Sequence, residues 1–173
     1  MSDSKYMPIQ VWRWFATPPT EGTRWTVLLR LMAGSVFVWE GILKFVYANQ
    51  GIGRFTKLGF PLPEATADFV AVVELVGGLL LLAGLFTRFV AVVFVVEMLV
   101  AMFSTKIALY LGTSPLPLPA APPKIGLWAV LHEVRSEWAQ LLTSLFLLLE
   151  GPGRWSLDAR RAGRQAPADS PDR

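Results

Sequence analysis

There is no cysteine in this chain. That excludes disulfides, thiol redox chemistry and any cysteine-held metal or Fe–S cluster from the chain's own residues. Histidine is nearly absent too: His132 stands alone, so two histidines of one chain cannot clamp a haem. No haem, Fe–S cluster or metal is therefore expected here. Charge is scarce, at 17% of residues against 53% hydrophobic ones, with a mean hydropathy of +0.46. A soluble domain of this length carries about 25% charge, so the bilayer is the expected solvent. Nucleic acid is not an expected partner.

What the chain does have is four greasy stretches, each interrupted by one acid. VLLRLMAGSVFVWEGILKFVY holds Glu40, FVAVVELVGGLLLLAGLF holds Glu74, FVAVVFVVEMLVAMF holds Glu97, and EWAQLLTSLFLLL opens on Glu137. A helical span needs about 20 residues. The runs predict spans over 24–47, 64–86, 88–110 and 127–150, the last one needing the polar stretch 132–140 to reach full length. The expected fold is an all-α integral membrane four-helix bundle. Its expected units are an interfacial N-terminal segment (1–23), a four-span domain (24–155) and a disordered basic tail (156–173). Residues 2–20 lack the basic start and apolar run of a cleaved signal peptide. Trp12, Trp14 and Phe15 beside Arg13 suggest a segment lying in the headgroup region.

Four spans place both termini and the turn at Arg88 on one side. That side carries Lys5, Arg13, Arg24, Arg88, Arg154, Arg160, Arg161, Arg164 and Arg173. The opposite side holds Arg54, Lys57 and Lys124 in its loops and Lys106 near a helix end. The excess of basic residues predicts cytoplasmic termini and a multi-pass protein of a bacterial cytoplasmic (inner) membrane. The loops 48–63 and 111–126 then face outward. The second is rich in proline, which makes it stiff.

A charge at a helix centre costs about 2.5–3.5 kcal/mol on insertion scales, so one acid per span implies a shared site inside the bundle. At about 1.5 Å of rise per residue, Glu74, Glu97 and Glu137 come to similar depths, with Glu40 nearer the outside. Arg30 is the exception in an otherwise apolar inner half, and is expected to snorkel toward the inner surface. Glu133, Glu137, Gln140 and Ser144 form one stripe at spacings of four, three and four, with His132 and Arg135 beside it. Gly77 and Gly78 after Glu74 permit close helix approach. The candidate proton-exchanging residues are Glu40, Glu74 and Glu97. The candidate ligand-contacting residues are Lys44, Arg54, Lys106, His132, Glu133, Arg135 and Glu137. The plainer readings stand beside this one. Glu40 and Lys44, four apart, suit an ordinary intrahelical pair, Glu74 suits an interhelical hydrogen bond, and His132 suits a polar filler near the interface.

WEGILKF, NQGIGRFTKLGFPLP, VELVGGLLLLAGLFTR, STKIALYLG, HEVRSEWAQLL and GPGRWSLDA, in that order and spacing, resemble the DoxX/DoxD family of small four-helix membrane proteins. The resemblance covers about 24–159. Within it, Lys44 matches the lysine after the first-helix glycine and Glu74 the glutamate before Gly-Gly. The resemblance implies a membrane subunit of a thiosulfate:quinone oxidoreductase type, with quinone as the ligand and a redox protein as partner. Two other classes remain open. One is a transporter or channel for protons or a small solute, for which homo-oligomerisation would have to complete the walls. The other is a non-catalytic scaffold for a redox partner.

The orientation is checked by cysteine labelling with a membrane-impermeant reagent. Ser114→Cys should label in intact cells and Ser170→Cys only after permeabilisation. The reverse pattern would overturn the expected topology.

Overall fold

The computed structural model describes residues 14, 15, 19 and 22–165. The regular structure among those residues is helical, without a strand. The helices are α1 (Thr26–Val46), α2 (Ile52–Lys57), α3 (Pro63–Ala83), α4 (Thr87–Leu111), α5 (Leu127–Glu133), α6 (Arg135–Glu150) and α7 (Leu157–Gln165). Three of them, α1, α3 and α4, are long and apolar enough to cross a membrane. Their 21, 21 and 25 residues correspond to roughly 31–38 Å, enough for about 30 Å of hydrocarbon.

The fourth segment differs from the single helix expected over 127–150. It is divided at Val134 into α5 and α6. Hydrogen bonds from Val134 N to Val130 O (2.9 Å) and from Trp138 N to Val134 O (2.8 Å) carry the backbone across the joint. The division falls within the charged run His132–Glu137, where apolar packing is thinnest. The 16 residues of α6 extend only about 24 Å.

Glycines set the spacing between α1 and α3. A Cβ built on Gly34 would lie 2.9 Å from Gly78 O, and one on Gly78 would lie 2.8 Å from Gly34 O. One on Gly41 would meet Ala71 O at 2.7 Å. The two backbones therefore touch directly, which only glycine permits and which compensates for the weak hydrophobic drive between helices in lipid. Gly77 instead makes room for the Phe94 ring from α4. Phe94 stacks on Phe37, with ring centroids 3.5 Å apart. Around this pair Ala33, Leu81, Val90, Ala91, Met98, Leu141 and Leu147 form the buried core.

The end of the bundle at the α3–α4 turn is not purely apolar. Arg30 is 1% exposed and does not snorkel. Its guanidinium donates to Leu82 O and Trp155 O and lies within Coulombic range of Asp158. Arg88 donates to Leu149 O and Trp14 O, both at 2.8 Å, and sits 3.9 Å from the centroid of the Trp14 ring. Trp12 and Arg13, also expected at the interface, lie outside the described residues.

The tail expected to be disordered over 156–173 instead begins as α7, through Gln165. Asp158 is the reason. Its Oδ1 accepts from Phe86 N (3.0 Å), and its Oδ2 accepts from Thr87 N (3.1 Å) and Thr87 Oγ1 (3.0 Å). Its own N–H donates to Gly84 O at 2.9 Å. One carboxylate thus caps the start of α4, where unpaired amides and the helix dipole favour negative charge. Residues 166–173 lie outside the described ones.

Asp158→Ala should lower stability on the order of 2–4 kcal/mol, as three bonds to a buried carboxylate are lost. Asp158→Asn, which keeps one accepting oxygen, should lose about half as much. Thermal unfolding in detergent reads both. Two variants that melt like the parent would contradict the capping role.

Candidate functional site

The half of the bundle remote from the α3–α4 turn contains a cavity of about 550 Å³. Ligand sites for small molecules commonly span about 300–1,000 Å³. Its walls come from α1, α2, α3, α4 and α6. Most of the lining is apolar, including Val36, Phe55, Val73, Val93 and Met98. The polar groups converge from four directions: Glu40 and Lys44 on α1, Glu74 on α3, Glu97 on α4, and Ser136, Glu137 and Gln140 on α6. Arg54 closes the ring from α2.

Lys44 does not pair with the Glu40 carboxylate one turn away. Its Nζ lies 2.6 Å from Glu74 Oε2 across the helix interface, and reaches only the backbone oxygen of Glu40, at 3.5 Å. The close approach at Gly41 explains the choice, because it brings α3 nearer to Lys44 than a normal helix spacing would. Both side chains are buried, 12% and 5% exposed. Glu97 faces Glu74 from α4 within hydrogen-bonding reach. A lysine and two carboxyl groups thus form one contiguous cluster.

Lys106 forms a second pair, its Nζ 2.7 Å from Glu137 Oε1. The other oxygen of Glu137 accepts from Ser136 Oγ at 3.0 Å. Two acceptors facing the cavity have no hydrogen-bond partner among the described residues: Glu97 Oε2 and Gln140 Oε1.

The short helix α2 folds back over the end of α1 because position 51 is glycine. A Cβ there would collide with Lys44 O. This return places Arg54 and Phe55 over the cavity, and Phe55 packs against Phe60 with centroids 5.3 Å apart.

Of the residues singled out from sequence, Glu40, Lys44, Arg54, Glu74, Glu97 and Glu137 line the cavity, and Lys106 reaches it through Glu137. His132, Glu133 and Arg135 do not line it. His132 and Arg135 contact each other, Nδ1 to guanidinium at 3.4 Å, on an exposed face. Glu133 lies on α5, on the other side of the joint at Val134 from Glu137 and Gln140. Sequence reasoning placed Gln140 on the inward stripe without making it a site residue. It gave no signal for Gln50 or Thr66, which line the cavity from irregular or terminal positions.

An apolar chamber whose charged groups are gathered across several span-length helices is the candidate site of a small membrane protein. The DoxX family model matches residues 25–107. An uncharacterized membrane protein of Mycobacterium tuberculosis is 40% identical over 154 residues, covering 86% of this chain and 87% of that protein. A Bacillus subtilis protein named putative oxidoreductase CatD is 31% identical over 134 residues, 77% of this chain and 84% of its own. No solved structure matches. The chain belongs to the DoxX family.

The change of partner at Lys44 is measurable by double-mutant cycles read from unfolding in detergent. The Lys44→Met/Glu74→Gln cycle should give a coupling of about 1–3 kcal/mol, and Lys44→Met/Glu40→Gln less than about 0.5. A larger coupling to Glu40 would restore the intrahelical pair.

Proposed function

We propose that this DoxX-family protein is a quinone-interacting membrane subunit of an oxidoreductase. One observation carries the reading: a largely apolar chamber within the bundle meets a Lys44–Glu74–Glu97 cluster. A quinone needs both halves of that arrangement. Its ring and tail require apolar walls, and its oxygens require groups that can exchange protons and balance charge. Glu40, Glu74 and Glu97 are the proton-exchanging groups, and Lys44 and Arg54 the cations that stabilise developing negative charge on oxygen. The chain's side chains include no electron carrier, so electrons come from or go to a redox partner protein. The name of the Bacillus relative, an oxidoreductase, supports the class.

Phe69, Val96 and Val100, exposed on α3 and α4, lie at the rim of the chamber. The consecutive helices α3 and α4 touch sparsely compared with the α1–α3 and α4–α6 pairs. This gap is the path by which a lipid-dissolved ligand enters from the side. The Phe37–Phe94 stack and the buried core fill the other half of the bundle. That packing makes the chamber a blind pocket and weighs against a transport path. In this reading the α5–α6 segment completes a fourth crossing, both termini are cytoplasmic, and the membrane is the bacterial inner membrane.

Protein purified with native lipid should carry quinone, detected by solvent extraction. Glu74→Gln and Lys44→Met should accumulate in the membrane within about twofold of the parent, yet retain quinone at least about tenfold less well, a loss of about 1.4 kcal/mol in binding. Parent protein that neither carries quinone nor binds it on titration would end this reading. If both variants instead vanish from the membrane, the pair is structural.

A further inference from the structure

Two Arg-Trp pairs far apart in sequence, Arg24-Trp25 and Arg154-Trp155, meet at the α3–α4-turn end of the bundle, away from the chamber. Gly153 brings them together. Its φ is +74°, and a Cβ built on it would lie 2.7 Å from Thr23 O and 3.0 Å from Thr26 Oγ1, so only glycine fits there. The backbone on that side is held further by Trp155 O, which accepts from Arg30, and by Ser156 Oγ, which donates to Gly153 O at 2.7 Å. Between the pairs lies an open cleft of about 490 Å³, lined by Gly22, Thr23, Arg24, Trp25, Arg154 and Trp155. Two cations line it, and no acid does among the described residues. Arg24 is exposed, and its guanidinium carbon lies 5.0 Å from the centroid of the Trp25 ring and 5.9 Å from that of Trp155. Ring contacts occupy the face of a guanidinium and leave the N–H groups at its edge, which are the part that binds an oxyanion. Arg30 and Arg88, at the same end of the bundle, spend those groups on backbone carbonyls. Arg24 meets no acceptor among the described residues.

The cleft adjoins the first residue of α1, a helix of span length. Tryptophan at the end of a span seeks the headgroup layer of a bilayer. From Trp25 an exposed apolar stripe continues along one face of α1 through Leu28 and Met32, at helical spacing. A cationic cleft that opens onto an apolar track suits a molecule with an oxyanion at one end and a hydrocarbon chain at the other. We propose that this cleft binds an anionic phospholipid, its phosphate between Arg24 and Arg154 and an acyl chain along Leu28 and Met32. The site is separate from the chamber and does not rest on the quinone reading. Arginine forks match phosphate oxygens in shape as well as in charge. A headgroup whose phosphate is offset by its own choline competes poorly, because the two arginines then face a molecule without net negative charge. A free phosphate ester would use the same arginines and leave the apolar stripe unused.

Native mass spectrometry of the full-length protein in detergent reads the first bound lipid, titrated with phosphatidylglycerol and with phosphatidylcholine of the same chains. Phosphatidylglycerol should bind at least about tenfold more tightly. Arg24→Gln/Arg154→Gln should bring the two affinities within about twofold of each other by weakening phosphatidylglycerol alone. Arg160→Gln/Arg164→Gln, exposed on α7 and outside the cleft, should keep the parent ratio within about twofold. Should the cleft variant fail to fold, Arg154→Gln alone carries the test, with the ratio falling at least about threefold. Equal binding of the two lipids by the parent overturns the site. So does a folded cleft variant, double or single, that keeps the parent ratio. A loss in the α7 variant as large as in the cleft variant also overturns it, since basic charge anywhere on that surface would then suffice. Glycerol phosphate, which has no chains, should not displace the bound lipid even at about a hundredfold excess. Displacement would assign the cleft to a free phosphate ester and overturn the lipid.

Discussion

The ion pair between Lys44 and Glu74 is the constraint around which the half of the molecule remote from the α3–α4 turn is organised. Two opposite charges in a low-dielectric interior attract strongly, but removing them from water is expensive, so geometry decides whether the pair is tolerable. Here the geometry comes from glycine. Gly34, Gly41 and Gly78 bring α1 and α3 into backbone contact, and the pair forms one turn beyond that contact. Glu97 joins from a third helix, which gives three spans a common electrostatic centre. The chamber exists because these groups must be surrounded by something other than packed hydrocarbon.

The two halves of the bundle solve different problems. Toward the α3–α4 turn, Arg30 and Arg88 donate to backbone carbonyls, and Asp158 accepts from backbone amides. The other half keeps unpaired acceptors beside an open volume. Buried polar atoms without partners are rare in native proteins and call for a reason. Two such acceptors, Glu97 Oε2 and Gln140 Oε1, belong to residues of the chamber wall, beside a volume that could hold a ligand, and that makes this side the candidate site.

Much of this was legible in the sequence, because membrane burial enforces simple rules. Three long apolar runs became three span-length helices. The acids isolated within them, Glu74 and Glu97 above all, converged, since a lone charge has few alternatives to meeting another. What escaped were effects of contact between distant segments. Lys44 had a partner four residues away by periodicity, and chose one thirty residues away because glycine moved α3 close. Glu133 shares a stripe with Glu137 by periodicity, yet it ends α5 and stays outside the chamber that Glu137 lines. The order in 157–165 depends on Asp158 reaching the α3–α4 turn, a tertiary bond that no local composition announces.

Asp158 also fixes an order of events during synthesis. The amides at the start of α4 find their side-chain acceptor only after a residue 71–72 positions later has been made. Arg30 waits still longer, for Trp155 O, 125 residues downstream. Until residues 155–158 have left the ribosome, Arg30 lacks its Trp155 acceptor and the start of α4 lacks its carboxylate. A copy cut short before residue 155 therefore displays the partial positive charge of the α4 start and the Arg30 guanidinium at the same spot, while one that includes α7 hides both. The segment 155–158 acts as a late clasp, closing by local chemistry a joint that the earlier helices leave open.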